Sequence, residues 1–267
     1  MSGVLRAWLA QGGALRWLTF DAYARRLFGG SGADWYREPM RQVAGLCDAN
    51  RVLGSQILEF DLGALWVARA DAAAGAMQRL AGVLASVGLR HFCDQVVAAL
   101  IDRQAGRADI LLALPSPPAI LQALGAGSDL DFDQLDDAAA RMLDFLRPLA
   151  GSGVAGLVMS PPAPGVDAGD AVDALAPLQS AAAHYGWVFA QRIADSGLGR
   201  DWSGPAPDLW LPETAEVRCP QTAPACTALP AGFWRAGLPA PAAAGVYGRV
   251  PADLDPALIA RRAAALP

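Results

Sequence analysis

The chain contains no lysine; its 21 basic residues are all arginines. A Schiff base needs an amine nucleophile, so lysine-dependent aldolase and pyridoxal-phosphate mechanisms are excluded. A Walker A loop, which needs its lysine, is excluded as well. No G-x-G-x-x-G loop follows any predicted strand, which weighs against a dinucleotide-binding sheet. Charge is sparse at 18%, the net charge is −5, and there is no basic run. Nothing therefore points to nucleic acid or to an anionic membrane surface. Apolar runs are broken by Gly, Pro, Arg or Asp before the roughly 18 residues a membrane span needs. The opening "MSGVLRAWLAQGGALRW" has no continuous apolar signal core. A cytoplasmic protein with no membrane or nucleic-acid partner is expected. The four cysteines, Cys47, Cys93, Cys219 and Cys226, are scattered. That suits reduced thiols better than a disulfide framework.

What is present is apolar material. At 54% hydrophobic over 267 residues the chain can bury a large core, and a single domain over 1–267 is expected. "SQILEFD", "DILLALPSPP" (109–118), "VAGLVMSPPAPG" (154–165), "WVFAQRI" (187–193) and "DLWLPE" (208–213) read as strands. Their continuous apolar runs suit strands covered on both faces. Helical spacing is predicted over 39–53, from Met40 through Val43 and Leu46 to Leu53. It is predicted again over 71–87, where Ala74, Met77, Leu80, Leu84 and Val87 share a face and Gly88 is a stop. Further helices are predicted over about 90–104 and 170–185. The stretch "DFDQLDDAAARMLDFLRPLAGSG" carries acids at its N-terminal end and apolar residues along one face. Residues 14–30 read as a short strand or turn and then a helix, 214–246 as long loops, and "VYGRVPADLDPALIARRAAAL" as a turn and a last helix.

Strand and helix alternate, so a (β/α)8 TIM-like barrel and a doubly wound sheet both fit. In a barrel the chemistry sits at the C-terminal strand ends. Those ends are Glu59 and Asp61, Ser116, Ser160, Gln191 and Arg192, and Glu213. In "LEFDLGALW" (58–66) the two acids lie two positions apart, so a strand sends both to one face. At a buried strand end Asp61 either acts as an acid or base tuned by desolvation, or accepts N–H bonds from the next turn. Glu59 would face the barrel interior and need a partner, and Arg192 is the natural one. Arg192 could equally clamp a substrate carboxylate. Ser116 and Ser160, each before a proline, suit turn chemistry and are kept as substrate-binding candidates. The Tyr247 phenol would donate to a substrate oxygen or pack on the last helix. His184, at a helix end, suits a capping cation.

Three stretches give the chain a resemblance to the uroporphyrinogen decarboxylase superfamily. "LGSQILEFDLGALW" resembles the family strand that ends in its catalytic carboxylate, which places that role on Asp61. "ILLALPSPPAILQAL" with "LDDAAARMLDFLRPLAGSGVAGLVMSPP" resembles the family's succession of strand, Ser-Pro turn, helices and strand. "VYGRVPADLDPALIARRAAALP" is similar to its closing turn and helix, with Tyr247 or a neighbour where the family has histidine. The resemblance covers about 55–165 and 245–267 and implies a shortened, divergent (β/α)8 barrel. The family's paired-arginine segment is represented only by Arg41 in "MRQVAGL", which reads as a surface or helix residue. These departures weigh against uroporphyrinogen as the substrate.

The expectation is a lyase or transferase on a small carboxylated metabolite, with Asp61 and Tyr247 as catalytic groups. Arg192, Glu59, Ser116 and Ser160 would bind substrate, without a cofactor or metal. The superfamily's methyltransferases bind zinc through H-x-C and a distant cysteine. "HFC" (His91, Cys93) matches in letters but lies early, at a predicted helix start. Cys219 and Cys226 are too widely spaced for a zinc knuckle. A methyltransferase or accessory is the second reading, and a non-catalytic binding subunit, as a homodimer or with a partner protein, the third.

Overall fold

The computed structural model describes residues 3–30, 34–71, 75–161, 165–194, 202 and 204–267. The strands are β1 (Leu15–Thr19), β2 (Ile57–Asp61), β3 (Asp109–Leu114), β4 (Gly156–Met159), β5 (Val188–Ile193), β6 (Leu209–Pro212), β7 (Thr227–Ala228) and β8 (Gly245–Arg249). All their pairings are parallel, in the order β6-β5-β4-β3-β2-β1-β8-β7. A bridge from Trp210 of β6 to Ala225, just before β7, brings the two ends of the sheet together. Helices fill the crossovers, including Asp21–Phe28 and Pro39–Leu53 after β1, Leu62–Arg69 after β2 and Phe132–Leu146 after β3. This is the (β/α)8 barrel, and it excludes the doubly wound sheet.

Side-chain alternation divides the core in two. Leu18, Leu58, Phe60, Ile110, Leu112, Leu114, Leu157, Met159, Phe189 and Val246 point outward into the layer beneath the helices. Leu15, Trp17, Ile57, Leu111, Ala113, Val158, Val188, Ala190, Leu209, Leu211 and Tyr247 fill the barrel interior. Glu59 is two residues on from Ile57 and Arg192 two on from Ala190, so the same alternation turns both charges inward. The helix Val4–Gln11 packs Leu5 against the interior cluster from the N-terminal side of the strands. Asp109, the first residue of β3, fixes it there by accepting the Leu5 N–H at 2.8 Å.

Most predicted elements lie where the spacing put them. The helix over 39–53 is Pro39–Leu53, and Leu135, Ala139, Met142, Leu146 and Leu149 are all buried. Four readings change. Residues 245–249, read as loop end and turn, form β8, because pairing with β1 at all five positions overrides the two glycines. The long-loop segment contains β7 and the short helix Phe233–Ala236. The helix expected over 71–87 runs Ala76–Ala85. Val87 begins the next helix and is 80% exposed, because Ser86 caps that helix by accepting the Leu89 N–H. Met40 is exposed, on the first turn of its helix. Ala74 lies outside the described residues. Among the described residues no single helix is long and apolar enough to cross a membrane.

Gly156 opens β4 where a Cβ would overlap the Val188 carbonyl oxygen of the neighbouring strand. Backbone cannot move aside as a side-chain tip can. Gly156→Ala is therefore expected to destabilise the fold by about 1–3 kcal/mol in a denaturant titration, with an unchanged m-value.

Candidate active site

A cavity of about 530 Å3 opens at the C-terminal ends of the strands. It falls within the roughly 300–1,000 Å3 of small-molecule sites. Thr19 from β1, Glu59 and Asp61 from β2, Ser160 after β4, Arg192 from β5 and Arg249 from β8 reach it, and the helix after β1 contributes Asp21 and Arg25. Parallel strands ending on one level bring these side chains together from distant parts of the sequence.

Glu59 and Arg192 form a buried ion pair across the barrel, with Arg192 Nη2 donating to Glu59 Oε2. The other carboxylate oxygen, Oε1, accepts from Trp17 Nε1 at 2.7 Å and from the Thr19 hydroxyl at 3.1 Å. Arg192 Nε donates to the Tyr247 hydroxyl at 2.9 Å. Burial alone would make Arg192 easier to deprotonate, but Glu59, Tyr247 and Asp61 outweigh it and hold the guanidinium charged. Burial likewise pushes the Tyr247 phenol above its ordinary range. The Tyr247 hydroxyl, expected to donate to substrate, instead accepts from Arg192 and braces it. Glu59, expected among the substrate-binding residues, is saturated by protein donors. Its role in the structure is that of the arginine's partner.

Asp61 faces the same cavity and, among the described residues, has no ion-pair partner. It is the N-cap of the helix Leu62–Arg69, its Oδ1 accepting the Ala64 N–H at 2.9 Å. Burial raises its pKa, opposed by that N–H and by Arg192. Asp21, in the first turn of its helix, is pushed up to about 7. Burial is the main cause and the Asp61 carboxylate the next, against relief from Arg25 and from Trp35 Nε1, which donates to Asp21 Oδ1 at 3.3 Å. Arg25 is itself drawn to Tyr36, donating to its hydroxyl at 3.0 Å and lying 5.6 Å from its ring centre.

The remaining sequence candidates divide. Ser160 lines the cavity. Ser116 is fully buried and donates to the Pro161 carbonyl at 3.2 Å, as a turn serine does. Gln191 points to the helix side and donates to the Ser160 and Arg192 carbonyls. Glu213 lies 3.8 Å from Arg249. Arg41 pairs on the surface with Glu38 and Asp34, and His184 sits exposed in the last turn of its helix. Asp21, Thr19 and Arg25 escaped the sequence reading, because β1 was left open as a strand or turn. Once "LRWLTFD" is taken as a strand, the rule that located Asp61 locates Thr19 and Asp21 as well.

The zinc of the methyltransferase branch does not fit these residues. His91 and Cys93 sit on opposite faces of the helix Val87–Gln104, His91 exposed and Cys93 buried with its thiol pKa raised by burial. Cys226 packs in the barrel interior just before β7, level with the start of β8 and so at the end remote from the cavity. The described lining offers carboxylates, guanidinium groups and hydroxyls, and no thiol or imidazole.

No protein-family model matches the sequence, and no curated protein matches it. A solved methyltransferase from Methanosarcina mazei does share its architecture. The likeness is one of fold. It has a TM-score of 0.66 at 10% identity and covers 98% of this chain and 96% of that one. The homocysteine methyltransferase of Escherichia coli, in its apo form, aligns over 97% of this chain and 98% of its own at 15% identity. Its TM-score of 0.49 is too low to mark a shared fold. The first likeness is to the barrel fold that the sequence resemblance implies, and it speaks to fold alone.

Removing one partner of the buried pair leaves the other charge unpaired. Glu59→Ala is expected to cost about 3–5 kcal/mol by chemical denaturation, and Glu59→Gln less. Asp21 gives a pH signature. The folded carboxyl keeps its proton to about pH 7, whereas the unfolded one releases it near 4. Its contribution to stability therefore falls as pH rises through that window. Asp21→Asn should raise the Tm relative to the parent at pH 8 and lose that advantage at pH 4.

Proposed function

We propose that the barrel is an enzyme acting on a small carboxylated molecule, with Asp61 as its acid–base group. The observation that carries this reading is Asp61 itself. It is a carboxylate at an open strand end, inside a cavity of small-molecule size, and none of the described arginines pairs with it. General acid–base catalysis requires a group in that condition. The Glu59–Arg192–Tyr247 set holds the wall of the cavity, and its guanidinium favours the Asp61 anion more than Glu59 opposes it. Arg25 and Arg249, which also line the cavity, would meet an anionic substrate group.

Two kinds of chemistry use such a group, a lyase step and a group transfer. Fold likeness to a methyltransferase favours transfer, in which Asp61 would take the proton from the accepting atom. Decarboxylation has no comparable support. Because the donor set does not suit zinc, Asp61 rather than a metal would activate the acceptor.

Asparagine caps helices as well as aspartate does, so Asp61→Asn separates folding from chemistry. Two assays apply to a panel of small carboxylic acids. One follows deuterium incorporation from D2O by NMR, and the other follows uptake of an isotopically labelled methyl group by mass spectrometry. Wild type should turn over at least one member, and Asp61→Asn should lower that rate by about a hundredfold or more with no loss of thermal stability. Equal rates in the two proteins would sink the acid–base reading and leave a binding role.

A further inference from the structure

We propose that Asp21 is the second acid–base group of the cavity, and that it carries a proton while Asp61 is ionised. The inference rests on the cavity being a reaction site and adds to it a residue on a different element. Both carboxyl groups line the same cavity, and the surroundings of the two are unequal. The Asp61 anion is supported by the Ala64 N–H at 2.9 Å and by the charge of Arg192. Asp21 receives one neutral indole N–H, from Trp35 at 3.3 Å.

The charged groups that act on Asp21 are Arg25 from its own helix and Glu59 and Asp61 from β2; Tyr36 of the turn Asp34–Tyr36 is affected by it in return. Arg192 of β5 and Arg249 of β8 line the same cavity, the first paired with Glu59 and the second 3.8 Å from Glu213. Arg25, the positive group that acts on Asp21, is shared with the Tyr36 hydroxyl. Glu59 is neutralised by Arg192. Two buried carboxyls that share one cavity, neither in an ion pair among the described residues, cannot both ionise cheaply, so the less supported one keeps its proton. Asp61 can then take a proton from one substrate atom while Asp21 gives one to another, and the net proton count is unchanged.

A small epoxide tests this without knowledge of the substrate. In glycidol, an Asp61 oxygen would attack a ring carbon, the ring C–O bond would break, and the released oxygen would take the proton of Asp21, leaving an ester on Asp61. Wild-type full-length protein should acquire one adduct per chain, mapped to Asp61 by peptide mass spectrometry. The rate should fall about a hundredfold in Asp21→Asn, and should fall as pH rises above about 7. Equal labelling of Asp61 in wild type and Asp21→Asn would overturn the proposal, as would adducts confined to surface carboxylates.

A second measurement reads the proton directly. The Trp35 indole 15N–1H resonance, assigned with Trp35→Phe, should titrate with a midpoint near 7. That midpoint should fall in Asp61→Asn and the titration should vanish in Asp21→Asn. An indole that titrates only below pH 5, or is unmoved by Asp61→Asn, would reject the shared proton even if the deuterium and methyl assays had succeeded.

Discussion

The ion pair between Glu59 and Arg192 organises the upper half of the barrel. Two buried charges are costly unless each is fully engaged. Here the carboxylate receives Arg192, Trp17 and Thr19, and the guanidinium reaches Glu59 and Tyr247. Those groups come from β1, β2, β5 and β8. Strands that are not neighbours in the sheet are thereby tied to one point, above the purely apolar layers of the interior. Such a network constrains which strand residues face inward. A shift of one residue in β2 or β5 would strand a charge among the helices.

The pair also decides which groups remain available for chemistry. Arg192 was an attractive clamp for a substrate carboxylate, yet its strongest acceptor is already Glu59. It still lines the cavity, so it acts on a bound molecule mainly through its fixed field. The two acids of "LEFD" therefore have different fates although they share a face. Glu59 is one residue pair deeper and meets the arginine. Asp61 is at the rim and meets only a helix N-terminus. Depth along one strand separates a carboxylate engaged by an arginine from one that faces the cavity.

This division shows what was legible in the sequence. Apolar runs and periodicity located most strands and helices, and the strand-end rule located Asp61, Glu59, Arg192 and Ser160 before any contact was known. Arg192 as the partner of Glu59 was legible too, because both end strands and both would point inward. Asp21 was not, because its strand, "LRWLT", interrupts its apolar residues with Arg16 and offers no continuous run. Arg16 is accommodated at the edge of the barrel by donating to the carbonyls of Leu53 and Leu266, a tertiary solution invisible to local pattern. Strand β8 failed for a related reason. "GVYGR" has two glycines in five residues, and it forms because β1 pairs with it along its whole length. Tyr247 was found but its role was not, since a phenol that donates and one that accepts look alike in sequence.

The absences in the sequence bear on the chemistry as directly as the residues do. Proton transfer near neutral pH usually falls to histidine, whose unperturbed pKa lies in that range. The chain has two histidines, and both sit exposed on helices away from the cavity. It has no lysine whose pKa burial could bring down. The buried thiols are pushed up rather than down, Cys226 to about 12. A carboxyl group raised by burial and by a neighbouring carboxylate is what remains, and the cavity holds such a group in Asp21. Its pKa is raised by burial first and by the Asp61 carboxylate next, against partial relief from Arg25, which is shared with the Tyr36 hydroxyl. The ion pair that fixes the barrel wall thus engages Glu59 and leaves Asp21 and Asp61 as cavity carboxyls outside any ion pair among the described residues.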